Sequence, residues 1–142
     1  MVAIIDYNAG NIKSVEKALN LLGETCVVTR DYKELKCADR VILPGVGAFG
    51  DAKSQLKKYE LDKMIREIVA NDTPFLGICL GQQLLFEGSE ESDGVEGLGI
   101  LPGKILRIPD CPGLKIPHIG WNSLTLMNHC RLYEGIADQS YV

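Results

Sequence analysis

The chain lacks a long apolar run, a cluster of lysines and arginines, and more than two histidines in its 142 residues. Its apolar stretches are short and broken by glycine, proline or charge, so no segment reads as a membrane span. Met1-Val2-Ala3-Ile4-Ile5-Asp6 turns acidic too early for a signal peptide, and a cytoplasmic location is expected. The formal charge of −4, with no basic-aromatic stripe, argues against nucleic acid as a main partner. Cysteines at 26, 37, 79, 111 and 130 are odd in number and show no Cys-x-x-Cys spacing, which argues against a disulfide framework. Free thiols are expected, four of them as packing residues. With histidine only at 118 and 129 there is no tight His/Cys cluster, so no zinc or other metal and no cofactor is expected. Repeats, low-complexity tracts and linkers are also missing, so residues 1–142 are read as one domain.

What is present is an alternation. Val2–Ile5 is a short buried strand ending at Asp6, and Asn8–Asn11 is a turn that opens a helix. The apolar face of that helix is Ile12, Val15, Ala18, Leu19 and Leu22, and Gly23 stops it. Thr25–Thr29 and Arg40–Leu43 read as strands, the latter closed by Pro44. A polar amphipathic segment covers 51–58, a second helical face comprises Leu61, Met64, Ile65, Ile68 and Val69, and Phe75–Ile78 is a strand leading into a helix over 80–86. Strands alternating with helices imply an α/β fold: an open, mostly parallel sheet with helices on both faces, flavodoxin-like, with ligands bound beyond the carboxyl ends of the strands. The acidic segment holding Glu87, Glu90, Glu91, Asp93 and Glu96 reads as a solvated surface loop. Lys104–Ile108 and Ser123–Met127 read as further strands.

Gly77-Ile78-Cys79-Leu80-Gly81 has the form of a nucleophile elbow with cysteine in the nucleophile position. A sharp strand-to-helix turn there needs glycines whose missing Cβ atoms avoid a clash. The helix that follows presents its positive end beside the sulfur, and the Leu80 amide is free to stabilise an oxyanion. Gly45-Val46-Gly47-Ala48-Phe49-Gly50 satisfies Gly-x-Gly-x-x-Gly and follows a strand, so a dinucleotide site has to be weighed. It follows the third strand, however, Pro44 stiffens its entry, and no strand end about 20 residues on offers a ribose-binding acid. A flexible strip of amide donors beside Cys79 is the better reading.

Pro44-Gly45-Val46-Gly47 together with Gly77-Ile78-Cys79-Leu80-Gly81-Gln82-Gln83-Leu84-Leu85-Phe86 resembles the class I (triad-type) glutamine amidotransferases. Asp6-Tyr7-Asn8-Ala9-Gly10-Asn11 and Pro117-His118-Ile119-Gly120-Trp121-Asn122 narrow the resemblance to the branch that serves as glutaminase in imidazole glycerol phosphate synthesis, and it runs the length of the chain. The resemblance implies that Cys79 attacks the side-chain amide of L-glutamine, giving a glutamyl thioester and ammonia. Leu80 N–H, and Val46 N–H after a peptide reorientation, would form the oxyanion hole, with Gly47 and Gln83 contacting glutamine. Asn11, His118, Trp121 and Asn122 would face a cyclase subunit, a (β/α)8 barrel that uses the ammonia to make imidazole glycerol phosphate and AICAR in histidine biosynthesis. Gln82 stands where the family more often has methionine.

The resemblance also implies a His-x-Glu pair nearer the carboxyl end, and this chain reaches Val142 without one, so a truncated domain that is inactive alone is expected. Loss of a strand there would leave an open sheet edge. His118 falls in the partner-facing motif, and His129 lies in a turn without a motif, as a surface or interface residue. Alternatives are an amidotransferase domain of another pathway, a non-catalytic partner-binding module, and a cysteine hydrolase of the DJ-1/PfpI type, which explains neither the Pro44–Gly47 strip nor the Trp121 motif.

Overall fold

The computed structural model describes residues 1–113, 115–128 and 130–142. They fall into two compact units, Met1–Arg107 and Ile108–Val142.

The first unit is built on four parallel strands, β1 (Val2–Ile5), β2 (Cys26–Thr29), β3 (Arg40–Gly45) and β4 (Phe75–Cys79), in the order β2-β1-β3-β4. Between them run α1 (Ile12–Leu21), α2 (Tyr32–Lys36), α3 (Phe49–Lys58) and α4 (Leu61–Ala70), and α5 (Leu80–Gln83) follows β4 directly. Two short strands, β5 (Gly88–Ser89) and β6 (Lys104–Ile105), pair in parallel apart from the main sheet.

Side chains alternate between the faces of a strand. Ala3 and Ile5 of β1 and Val41 and Leu43 of β3 therefore share one face, and they join Leu35, Leu56, Leu61, Ile65 and Ile68 of α2, α3 and α4 in the main core. Val2, Ile4 and Ile42 are buried on the opposite face. In register with Ile42 and Pro44, Leu76 and Ile78 of the outermost strand β4 point to that same face and are 39% and 37% exposed.

The expected alternation is present, with local differences that have physical causes. α1 buries no residue completely: Ile12, Val15 and Leu19 are half-buried, whereas Ala18 and Leu22 of the predicted face are exposed. α2 was not expected, because five residues are too few to show a period. Its signal is Asp31, whose carboxylate accepts from the amides of Lys33 (2.8 Å) and Glu34 (3.1 Å) as an N-cap. β3 runs past Leu43 to Gly45; β1 pairs with it only as far as Ile42, so Pro44 sits where β3 keeps just one strand neighbour, a position that tolerates proline. The helix expected over 80–86 is a single turn, Leu80–Gln83. Beyond it the Leu85 and Phe86 amides donate to the Gln82 and Gln83 carbonyls, tightening the chain into i to i−3 turns, and the carbonyls of Leu84, Leu85 and Phe86 accept from Leu98, Ile100, Leu101 and Gly99, which prevents any continuation past them.

The acidic segment is not simply solvated. Glu91 Oε2 accepts from the Phe49 amide at 3.0 Å and Ser92 Oγ from the Gly50 amide at 2.9 Å, capping the start of α3, where Ala48 has no side chain to do so. Glu87 and Glu90 accept from the amides of Gly103 and Arg107.

In the second unit, Ile116–Pro117 is a cis peptide and Arg131–Tyr133 is one 3₁₀ turn. Asn122 and Val142 exchange both backbone hydrogen bonds at 2.9 Å, and Leu124 bonds Ser140 and Gln139. The strand expected over 123–127 is reduced to a single bridge, Ser123 to Tyr141, and that over 104–108 to Lys104–Ile105. Among the described residues no helix is long and apolar enough to cross a membrane.

Candidate active site

Cys79 stands at the junction of β4 and α5 with φ 54° and ψ −118°, a backbone region that a residue with a Cβ rarely occupies. The flanking glycines show why the turn can close. A Cβ on Gly77 would lie 2.5 Å from Gln82 Cα, and one on Gly81 would lie 1.9 Å from the Leu43 carbonyl oxygen. A Cβ on Gly45 would lie 2.5 Å from the Gly81 amide nitrogen and 2.8 Å from Tyr7 Oη. Three glycines from two strands and one helix thus allow backbone to touch backbone around the elbow. Cys79 itself is exposed and carries a free thiol.

Leu80, almost fully buried, opens α5, and the first amides of a helix have no acceptor within it. Because α5 is one turn long, what it offers the sulfur is local amide donors more than a long helix dipole. Gly45 pairs in register with Cys79, so the strip Gly45–Gly47 leaves the sheet beside the elbow. Val46 is 54% exposed, and Gly47 has φ +99° with open space around its Cα. Gln83 is half-buried at the end of α5.

Tyr7, the residue after Asp6 at the end of β1, is fully buried, and its hydroxyl donates to the Pro44 carbonyl at 2.8 Å. Burial, and secondarily the negative charge at Cys79, push its pKa up to about 12. Sequence reasoning used Tyr7 only as part of a motif and missed its place near the nucleophile; a large polar aromatic at a strand's carboxyl end was the available signal. The same loop is fixed by a polar cluster that also went unforeseen. Arg30 donates to Asp6 Oδ2 (2.5 Å) and Asn8 Oδ1 (2.9 Å), its guanidinium lies 4.2 Å from the centre of the Tyr59 ring, and Asn8 Nδ2 donates to Tyr59 Oη at 2.6 Å. Burial acts to raise the Asp6 pKa, but the hydrogen bonds from Arg30 and Asn8 and the charge of Arg30 outweigh it, and the net shift is downward. Asn11 is the N-cap of α1, its side chain accepting from the Ser14 amide at 3.3 Å.

The dinucleotide alternative meets a specific obstacle. A pyrophosphate would use the amides at the start of the helix after Gly45-x-Gly47-x-x-Gly50. Those of Phe49 and Gly50 already donate to Glu91 and Ser92, and the Glu91 carboxylate would repel a phosphate.

His118, Trp121 and Asn122 belong to the second unit, where Asn122 Nδ2 and His118 Nε2 are hydrogen-bonded partners and Ile119 and Trp121 are largely exposed. His129 lies outside the described residues. The expectation of four packing cysteines needs correcting: Cys37, Cys111 and Cys130 are exposed, and Cys26 is half-buried. Cys37 follows the short α2 and the other two lie in the sparsely buried second unit, so none reaches the main core. Among the described residues no group of three or more His, Cys, Asp or Glu side chains is placed to hold a metal ion.

The family "Glutamine amidotransferase class-I" matches residues 3–142. The chain is 48% identical over 141 residues to the imidazole glycerol phosphate synthase subunit HisH of Methanocaldococcus jannaschii, covering 99% of this chain and 69% of that protein. It is 49% identical over 142 residues to the subunit HisH of Bacillus cereus, covering 100% of this chain and 67% of the relative. Among solved structures, a glutamine amidotransferase superposes with a TM-score of 0.61 at 22% identity, over 71% of this chain and 53% of the other. A peptidase E-like protein of Listeria monocytogenes reaches 0.57 at 16% identity, over 70% and 62%, and shares the fold. The chain thus spans about two thirds of the length of these curated relatives and about half of the solved amidotransferase.

Proposed function

The chain belongs to the class I glutamine amidotransferases, and from that premise we propose that it is the glutaminase subunit of an imidazole glycerol phosphate synthase, acting in the cytoplasm in histidine biosynthesis. The observation that carries the chemistry is Cys79, an exposed thiol held at φ 54° between glycines that permit no other residue. Residues 1–142 are read as one amidotransferase domain, a reading supported by the family match over residues 3–142.

In this reading the Cys79 sulfur attacks the side-chain carbonyl of glutamine, and the carbonyl oxygen becomes an oxyanion. Leu80 N–H receives it, and Val46 N–H joins once its peptide turns; the exposure of Val46 and the open surroundings of Gly47 leave room for that turn. Ammonia leaves, a γ-glutamyl thioester remains, and water releases glutamate. Gly47 and Gln83 hold the glutamine. No cofactor enters these steps.

The chemistry also needs a general base. Residues 1–107 contain no histidine, the usual side chain for that step. His118 is engaged by Asn122, which suits the partner role given to that motif. The exposed Ile119 and Trp121 are the kind of apolar surface that a protein partner covers, and we assign Asn11, His118, Trp121 and Asn122 each to contact with a (β/α)8 cyclase subunit.

The test is formation of a γ-glutamyl thioester on Cys79 when the chain, mixed with a cyclase subunit, is given L-glutamine. Cys79→Ala should abolish γ-glutamyl transfer to the chain; persistence in that variant would remove Cys79 from the mechanism. The 142-residue chain alone should accept a glutamyl group but turn over only at background.

A further inference from the structure

The strip that supplies Val46 N–H can turn only if something fixes the point from which it turns. The structure shows a firm end and a loose end. At the firm end, Pro44 and Gly45 are buried, and Gly45 is pressed between the Gly81 amide and Tyr7 Oη, the distances from an added Cβ being 2.5 and 2.8 Å. At the loose end, Val46 is half exposed and nothing lies within 4 Å of the Cβ position of Gly47. The boundary coincides with the hydrogen bond from Tyr7 Oη to the Pro44 carbonyl, 2.8 Å long and wholly buried. That bond fixes the plane of the Pro44–Gly45 peptide, so rotation begins beyond Gly45.

We infer that Tyr7 is a positioning residue for the oxyanion strip, acting through the Pro44 carbonyl to set where the Val46 amide arrives. The inference rests on the glutaminase reading above. Tyr7 is suited to the part because its hydroxyl stays protonated while charge develops at Cys79, so it remains a donor through the reaction. Its effect is confined to steps in which an oxyanion forms; the approach of an electrophile to sulfur is governed by the elbow glycines instead.

Two reagents separate these steps on the 142-residue chain. In a γ-glutamyl thioester of a small thiol, the Cys79 thiolate attacks the carbonyl, a tetrahedral oxyanion forms, the old C–S bond breaks, the small thiolate leaves, and γ-glutamyl-Cys79 is counted by peptide mass. Iodoacetamide alkylates the same sulfur by displacing iodide, with no oxyanion. For Tyr7→Phe the expected result is acylation slowed about tenfold, less than the ~100-fold or more that losing an oxyanion donor outright costs because the Val46 amide is displaced and not removed, with alkylation at Cys79 within about twofold of the wild type. Unchanged acylation, or an equal fall in both rates, would overturn the inference. Should Tyr7→Phe not fold, 3-fluorotyrosine at position 7 keeps the hydroxyl as a stronger donor; acylation faster than the wild type, with alkylation unchanged, supports the inference, and an unchanged or lower acylation rate overturns it. Failure of the wild-type chain to be acylated at Cys79 would instead count against the glutaminase reading itself.

Discussion

Replacing Cys79 by glycine should stabilise the protein while destroying its chemistry, and comparison with Cys79→Ala isolates the reason. Alanine keeps the Cβ at φ 54°, ψ −118°, and glycine removes it. A side chain held in such a region costs about 1–3 kcal/mol. Against this, glycine loses more freedom on folding, about 0.5–1 kcal/mol relative to alanine. The side chain of Cys79 is exposed, so little buried surface changes in either variant. The balance is a glycine variant more stable than the alanine variant by ~1.3 kcal/mol, and at a slope of about 2 kcal/mol per molar urea the midpoint should rise by ~0.6 M. Urea unfolding followed by fluorescence or circular dichroism reads this directly. Equal midpoints, or a lower one for glycine, would show that the elbow is not strained in the way its angles imply.

Gly81→Ala should do the opposite: the new methyl would lie 1.9 Å from the Leu43 carbonyl oxygen, forcing β3 and β4 apart at the elbow. Overpacking and the loss of one or two ladder bonds add to about 3–4 kcal/mol, whereas Gly120→Ala, with open space around it, should stay within about 0.5 kcal/mol in the same unfolding assay. Absorbance of tyrosinate should show a component titrating near 12 that Tyr7→Phe removes. Because the folded value lies above the ordinary 10.0, the stability linked to Tyr7 is complete below pH 10 and is lost as pH rises toward 12, by about 2–3 kcal/mol. Asp6 runs the other way: its folded pKa lies below the ordinary 3.8, so its contribution is complete at pH values above 3.8 and is lost as pH falls through the folded value. The gap in urea midpoint between the wild type and Asp6→Asn should therefore be constant above pH 5 and close on acidification below 3.8.

The sheet was legible because its strands are apolar runs with abrupt ends, and the elbow because Gly77, Cys79 and Gly81 are a local pattern whose geometry needs no distant residue. What escaped was non-local. Glu91 reads as one more surface acid until the fold sets it 3.0 Å from the Phe49 amide, 42 residues away. The helix over 80–86 looked continuous because apolar residues persist through Leu84, Leu85 and Phe86, but their carbonyls are claimed by residues 98–101. Tyr7 and Arg30 likewise gain meaning only when β1 and β2 are side by side.

β4 bears the nucleophile and, like β2, is an edge strand among the described residues, paired on one side only. An interior strand detaches by breaking two ladders, but β4 detaches by breaking one. Its amides should accordingly exchange with deuterium sooner than those of β1 or β3. Among the described residues the reactive residue therefore rides on a strand held by one ladder, and the jammed glycine backbones at the elbow add to what steadies it. Any protein surface that lies along the free side of β4 would add protection there, and through it stiffness at the sulfur.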